Sequence, residues 1–311
     1  MNNANSKVYV AGHRGLVGSA LLRRLNKAGY SNIVRRTHAE LDLANQEAVE
    51  RFFAQELPEY VFLAAAKVGG ILANRNSPAD FIGENLAIQM NVIDNAHRYG
   101  VKKLLFFGSS SAYPKNAPQP LKEDYLLTGP LEETIRAYSI AKIAGIELCQ
   151  SYRRQHGSNF IVAMPTNLYG PNDNFDPKTA NVLPSLIRRF HEAKETNTPT
   201  VSVWGSGTQR REFLHADDLA TACFFLMQNY EDAEIVNVGS GQDVSIKELA
   251  EAIKEAVRYE GEIVWDKSKP DGAPRKLLDI SKLHALGWNH SITLESGIRH
   301  TYAWYQNVRV E

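Results

Sequence analysis

Residues 7–18 read Lys7-Val8-Tyr9-Val10-Ala11-Gly12-His13-Arg14-Gly15-Leu16-Val17-Gly18. The run Lys7–Ala11 is rich in β formers, and a helix is expected from about Gly15, with Val17, Leu21 and Leu25 on one stripe. Glycines at 12, 15 and 18 permit a tight turn, close backbone approach to a pyrophosphate and close packing of helix on strand. The helix N-terminus then offers free N–H groups and a positive dipole end to an anion. Glycines also mark ordinary turns. Here they follow a strand and open an amphipathic helix, which is the context a dinucleotide loop requires.

Outward from that loop, strands and helices alternate. Strands are expected at Ile33–Arg36, Tyr60–Ala66, Lys103–Gly108 and Phe160–Pro165. Helices are expected over Asn45–Gln55, capped by Asp42 or Asn45, over Pro78–Tyr99 and over Ala137–Gln155. The apolar run 60–66 marks a strand buried on both faces. This rhythm means βαβ units, a parallel sheet and right-handed crossovers. The fold expected is a doubly wound α/β (Rossmann) domain over 1–165, with a smaller mixed α/β substrate domain over 166–311. Segments near 216–240, a helix and the strand Ile235–Val238, are expected to return to the first sheet. An Asn-, Asp- and Pro-rich loop is expected from Asn167 to about Asn181. Beyond it the reading gives a helix over Pro184–Lys194, a strand over Val201–Trp204 and a helix over Ser245–Arg258.

The 311 residues suffice for about two domains and a core that needs no staple. An apolar share of 43% and a charged share of 23% exclude disordered and collagen-like chains. Thirty-five basic residues balance 35 acidic ones, so nothing draws the whole chain to nucleic acid or to an anionic membrane. Cys149 and Cys223 sit in helical patterns without metal-ligand spacing and read as buried hydrophobes, and no metal is expected. No apolar stretch reaches bilayer length and none follows Met1, so a soluble cytoplasmic protein is expected.

The choice of dinucleotide turns on the end of the second strand. A site for NAD usually carries Asp or Glu there to bind the ribose 2′-hydroxyl. This chain has Val34-Arg35-Arg36-Thr37-His38, and arginines suit a 2′-phosphate, with Arg14 as a further cation. NADP(H) is therefore expected.

Tyr138-Ser139-Ile140-Ala141-Lys142 places a phenol and an ammonium four residues apart on one helix face. A phenol titrates near 10 in water, and a neighbouring lysine with an oxidised nicotinamide is expected to lower that value. Such a pair can donate a proton to a carbonyl oxygen while hydride reaches its carbon. Ser109, beyond the C-terminal end of a parallel strand, can hold the same oxygen. Ser109, Tyr138 and Lys142 are the expected catalytic residues. A dinucleotide fold kept as a non-catalytic sensor or scaffold would be expected to have lost Tyr138 or Lys142, and both are intact.

These motifs resemble the extended short-chain dehydrogenase/reductases, and within them the GDP-L-fucose synthase family. The closer resemblance rests on Ala11–Gly15, Ala64–Gly70, Ile140–Gly145, Met164–Pro171, Trp204–Thr208, Arg211–His215 and residues 269–279, which span nearly the whole chain. It implies reduction by NADPH of the C4 ketone of a GDP-4-keto-6-deoxy sugar after epimerisation at C3 and C5. The residues it implies around NADPH are Gly12, His13, Arg14, Gly15, Leu16, Val17, Gly18, His38, Ala65, Lys67, Lys142, Pro165, Thr166, Asn167 and Leu168, to which the 2′-phosphate reading adds Arg36. For the GDP-sugar it implies Asn167, Val182, Leu186, Arg189, Trp204, Arg211, Asp271 and Lys276. A homodimer through the helices near 78–99 and 137–155 is likewise implied.

Two positions depart from the family. Ser111 stands where the resemblance implies a cysteine, and Asn181 where it implies a histidine, the acid/base pair of epimerisation. A thiol titrates near 8.5 and an imidazole near 6.5, so both can cycle protons at carbon. A serine or an asparagine can hydrogen-bond a sugar but cannot do that. The family's Thr-Asn-Glu-Pro is also Thr134-Ile135-Arg136-Ala137 here. The expectation is a C4-keto reductase with weak or absent epimerase activity. The alternative is a full epimerase/reductase in which another group supplies the missing acid and base.

Overall fold

The computed structural model describes residues 1, 3–269 and 271–309. Its first half runs β1 (Val8–Ala11), α1 (Leu16–Lys27), β2 (Ile33–Val34), α2 (Gln46–Glu56), β3 (Tyr60–Leu63), α3 (Ile71–Asn76), α4 (Pro78–Arg98), β4 (Lys103–Phe107), α5 (Arg136–His156) and β5 (Phe160–Pro165). The second half runs β6 (Asn167–Tyr169), α6 (Val182–Glu195), β7 (Thr200–Trp204), β8 (Arg210–His215), α7 (Ala216–Asn229) and β9 (Val236–Val238). It continues with β10 (Asp243–Ser245), α8 (Ile246–Val257), β11 (Glu262–Asp266), β12 (Arg275–Lys276), α9 (Ser281–Ala285) and α10 (Leu294–Arg309).

Six strands form one parallel sheet in the order β2-β1-β3-β4-β5-β9. The chain leaves β1 to one side for β2 and returns on the other for β3. The strand order therefore reverses between β1 and β3, and ligands of open α/β sheets bind at the carboxyl ends beside such a point. Both faces are covered. Val49 and Phe53 of α2, Val92 and Ile93 of α4 and Ile146 of α5 pack on one face. Leu21 and Leu25 of α1 with Leu219 and Leu226 of α7 pack on the other. The two cysteines are free thiols, one buried in each layer.

The remaining strands build the smaller portion. β8 lies between antiparallel β10 and parallel β12, and β6 pairs with β8. β7 and β11 form a parallel pair. Their core, with Leu183 and Phe190 of α6, Leu249 and Ile253 of α8 and Ile298 of α10, is separate from the first two layers.

Most expected elements are present within a few residues, and the differences have local causes. α6 starts at Val182 because a proline in the first turn, Pro184, loses no helical hydrogen bond. β3 ends at Leu63, beyond which the chain passes over Gly12 instead of continuing to 66. The expected loop at 167–181 contains β6, a three-residue strand. Like β10 and β12, it is too short to show a period in sequence. Among the described residues, no helix is long and apolar enough to cross a membrane.

Candidate active site

The glycine loop joins β1 to α1 beside the sheet's reversal. Gly12 has φ +79°, and a Cβ there would stand 2.8 Å from the Ala65 backbone nitrogen. Glycine is thus required both by conformation and by the approach of residues 64–65. Gly15 caps α1 without a side-chain bond, and the first turn holds no acidic residue. The first N–H groups of the helix are left for an anion. His13 has a buried Nδ1 without a partner, and burial, then Arg14 and Arg35, hold its pKa below the usual range. These features fit a dinucleotide: a glycine cradle, an open helix N-terminus and a neutral imidazole beside two guanidinium groups.

The arginines divide differently from the sequence reading. Arg36 donates to the Glu56 carboxylate and to the carbonyl of Arg35, and lies 5.8 Å from the Phe52 ring. Its fork is largely engaged. Arg14 and Arg35 are exposed and act on His13, so they are the freer cations for a phosphate. His38 is exposed, 3.8 Å from Asp42. Lys67 donates to Glu84 at 2.7 Å, and its own N–H to Asn85 at 3.0 Å, which fixes the segment after β3. Leu16, Val17 and Leu168 pack partly against the α1/α7 layer.

Ser109, Tyr138 and Lys142 meet above the end of β4. α5 sits close to the sheet because Gly145 carries no side chain; a Cβ there would lie 2.4 Å from the Phe106 ring. Lys142, 4% exposed, donates to the Phe107 carbonyl at 2.8 Å and stands 5.7 Å from the Tyr138 ring. Ser109 hydrogen-bonds Tyr138, whose ring meets Phe81 edge-on at 6.4 Å. Burial lowers Lys142 to about 8. It raises Tyr138 to about 12, against the opposing pull of Ser109. In the protein alone, before a nicotinamide is bound, burial outweighs Ser109 and holds the phenol above its ordinary value. At neutral pH it holds its proton and is ready to act as an acid.

Residues 165–168 bridge the two sheets. Pro165 ends β5, and Thr166 is buried. Asn167 opens β6 and donates to the Glu212 carbonyl at 2.8 Å. On β8 and β12, Arg211 and Lys276 are register partners. Burial lowers the pKa of both, and Lys276, also pushed down by Arg211, reaches about 8. Two desolvated cations side by side suit a diphosphate. Trp204 is 58% exposed, with the Lys269 ammonium 5.6 Å from its ring.

Other expected substrate residues are placed differently. The Asp271 carboxylate accepts from the Ser206 N–H and hydroxyl, each at 2.8 Å, so it holds the turn after Trp204. Leu186 is 2% exposed in the core of the smaller portion and offers no surface to a ligand. Arg189 donates to the Ser202 carbonyl and lines a cavity of about 250 Å³ with Glu192, Thr198 and Thr200, which shares no residue with the triad. Val182 and Asn181 lie exposed at the start of α6. Ser111 is buried, with its hydroxyl 2.8 Å from that of Ser109.

Three residues of the site escape sequence reasoning. Ser139 donates to the Ser111 carbonyl at 2.9 Å, and Gln89 donates to the Ala141 carbonyl at 2.6 Å. Glu212, fully buried, accepts from the N–H groups of Gly241 (2.7 Å) and Leu278 (3.0 Å). A polar residue at an apolar-periodic position, such as Gln89 between Ile88 and Val92, is the signal that could find them. His215, Asp217 and His300 bring three possible metal ligands within 4.8 Å of one another. However, Asp217 is held by Arg23 and its N–H occupies His215 Nδ1, so these groups already serve one another.

The sequence signature of the NAD dependent epimerase/dehydratase family matches residues 8–239. A putative GDP-L-fucose synthase 2 of Arabidopsis thaliana is 62% identical, over 98% of this chain and 93% of that protein. The chain belongs to the GDP-L-fucose synthase family. Two solved structures share its fold throughout. A GDP-6-OMe-4-keto-L-xylo-heptose reductase from C. jejuni is 44% identical with a TM-score of 0.94, covering 98% of this chain and 99% of that one. MlghC, a GDP-mannoheptose C4 reductase from Campylobacter jejuni with NADP bound, is 46% identical with a TM-score of 0.90, covering 98% and 100%. Membership makes the chain part of a family of sugar-nucleotide reductases and epimerases.

Proposed function

We propose that this chain is an NADPH-dependent oxidoreductase that reduces the C4 ketone of a GDP-linked 4-keto-6-deoxy sugar, with epimerisation at C3 and C5 weak or absent. The observation that carries the reading is one contrast. Ser109, Tyr138 and Lys142 are gathered at the end of β4, whereas the positions for carbon acid/base work hold Ser111 and Asn181. Neither of the latter titrates in the working range.

NADPH supplies the hydride. Tyr138 gives its proton to the ketone oxygen, Ser109 donates a hydrogen bond to that oxygen, and Lys142 stabilises the phenolate that remains. Arg211 and Lys276 would hold the diphosphate, and Trp204 offers a packing surface. Arg14 and Arg35 would meet the 2′-phosphate. Residues 1–165 together with α7 and β9 form the dinucleotide unit on this reading, and the rest carries the sugar nucleotide. Exposed Leu86, Met90 and Ile140 on α4 and α5 support a homodimer through those helices.

The test is reaction in D2O with NADPH. NMR of the product from a panel of GDP-4-keto sugars should show reduction at C4 and no deuterium at C3 or C5. Label at either carbon refutes the reading and favours a full GDP-L-fucose synthase, the second reading, which the 62% identity to the Arabidopsis relative supports.

A further inference from the structure

Ser111 approaches Ser109 twice. Its amide N–H donates to Ser109 Oγ at 3.2 Å, and its hydroxyl donates to the same oxygen at 2.8 Å. A serine oxygen has two acceptor lone pairs and one proton. Both acceptor sites of Ser109 are taken, so only its O–H remains to give. With both acceptor sites filled by Ser111, Ser109 meets the neighbouring Tyr138 as the donor. Ser111 is itself held: it is 8% exposed, and its carbonyl accepts from the Ser139 hydroxyl at 2.9 Å.

We propose that Ser111 is a positioning residue for the reduction, fixing Ser109 as a donor whose single O–H is shared between the Tyr138 oxygen and the substrate ketone. This rests on the reductase reading above. In the step it serves, a C–H bond forms at the ketone carbon with hydride from NADPH, which leaves as NADP+. The O–H bond of Tyr138 breaks and the ketone oxygen gains the proton. No bond to Ser111 breaks. Its hydroxyl polarises Ser109, and a polarised donor stabilises both the alkoxide-like oxygen and the phenolate left behind. The residue that cannot epimerise thus has work on the reductive side.

The groups facing Tyr138 are Ser109 from the end of β4, with Ser111 bonded behind it, Phe81 from α4 and Lys142 from its own helix. The α4 carboxylates Asp80 and Glu84 act on Lys67. Removing the Ser111 hydroxyl should therefore read out on the phenol.

The experiment follows tyrosinate absorbance of the full chain with NADP+ bound, with Tyr138→Phe as the blank, alongside NADPH turnover against pH. Ser111→Ala should raise the Tyr138 pKa by roughly half a unit or more. It should also lower kcat about tenfold with little change in KM, and move the alkaline limb of kcat upward. Ser111→Thr, which keeps the hydroxyl, should restore both. Should the alanine variant not fold, Ser111→Cys, a weaker donor, should give an intermediate shift. A phenol that titrates unchanged in Ser111→Ala or Ser111→Cys overturns the proposal, as does a folded, NADP+-binding Ser111→Thr that restores nothing. The titration needs no sugar. A wild-type chain that turns over no GDP-4-keto sugar therefore sinks the reductase reading, while the absorbance still decides on Ser111.

Discussion

Arg211 and Lys276 stand opposite each other on adjacent parallel strands, both desolvated, and neither is bonded to a carboxylate among the described residues. Glu132, the carboxylate that acts on Lys276, is paired with Lys115 at 3.2 Å. Two like charges side by side, each only partly exposed, are costly unless an anion joins them. An anion raises the lysine pKa from about 8, so GDP binding near that pH takes up a proton and weakens as pH rises further. Calorimetry in buffers of different ionisation enthalpy should show this uptake. Lys276→Met should abolish it and weaken GDP about tenfold.

Tyr138→Phe keeps the ring packing against Phe81 and removes the acid. NADPH binding should persist while kcat falls about a hundredfold or more. Stopped-flow NADPH oxidation measures it, and an unchanged rate would reassign the proton donor.

The glycines of the first loop should differ sharply. Gly12→Ala combines φ +79° with a backbone clash at 2.8 Å, and should cost about 1–3 kcal/mol and abolish NADPH binding. Gly15→Ala meets no atom nearer than 3.6 Å and should fold normally. Thermal melts with and without NADPH separate the two.

Ser111→Cys with Asn181→His supplies the two titrating groups that the site lacks. Deuterium should then enter at C3 or C5 of the product, at a rate readable by NMR. Continued absence of label would show that these two positions do not by themselves govern epimerisation.

Stability should peak near pH 10. Lys103, bonded to the carbonyls of Leu226 and Tyr230, and Lys142 titrate at about 8 when folded and near 10.4 when unfolded. Between those values the unfolded chain binds more protons, so stability rises with pH. Tyr138 and Tyr152 have folded values of about 12, so their contribution is full below 10 and lost as pH climbs toward 12. Denaturant titrations across this range should trace the maximum, and a steady decline from pH 8 would contradict the buried-lysine assignment.

The parallel sheet was legible because strands 60–63 and 160–165, and 104–107 after Lys103, are apolar runs, and the glycine loop because it sits between two periodic elements. The meeting of Ser109, Tyr138 and Lys142 at one strand end was legible from spacing and order. What sequence could not give was which polar groups are already spoken for. Arg36 is taken by Glu56, Asp271 by Ser206, and Ser111 by Ser109. Such pairings join residues up to 65 positions apart and leave no periodic trace. The burial that raises the phenol in the protein without coenzyme likewise left no trace in the Tyr-to-Lys spacing, since burial is a property of packing.

The return of β9 to the edge of β5 has an engineering consequence. A chimera made by swapping everything after residue 165 would also exchange the sixth strand and α7, and with them one wall of the coenzyme unit. Glu212 ties Gly241, beyond that strand, to Leu278, two residues past Lys276. Sugar preference in this lineage is therefore better retuned by grafting loops than by recombining halves.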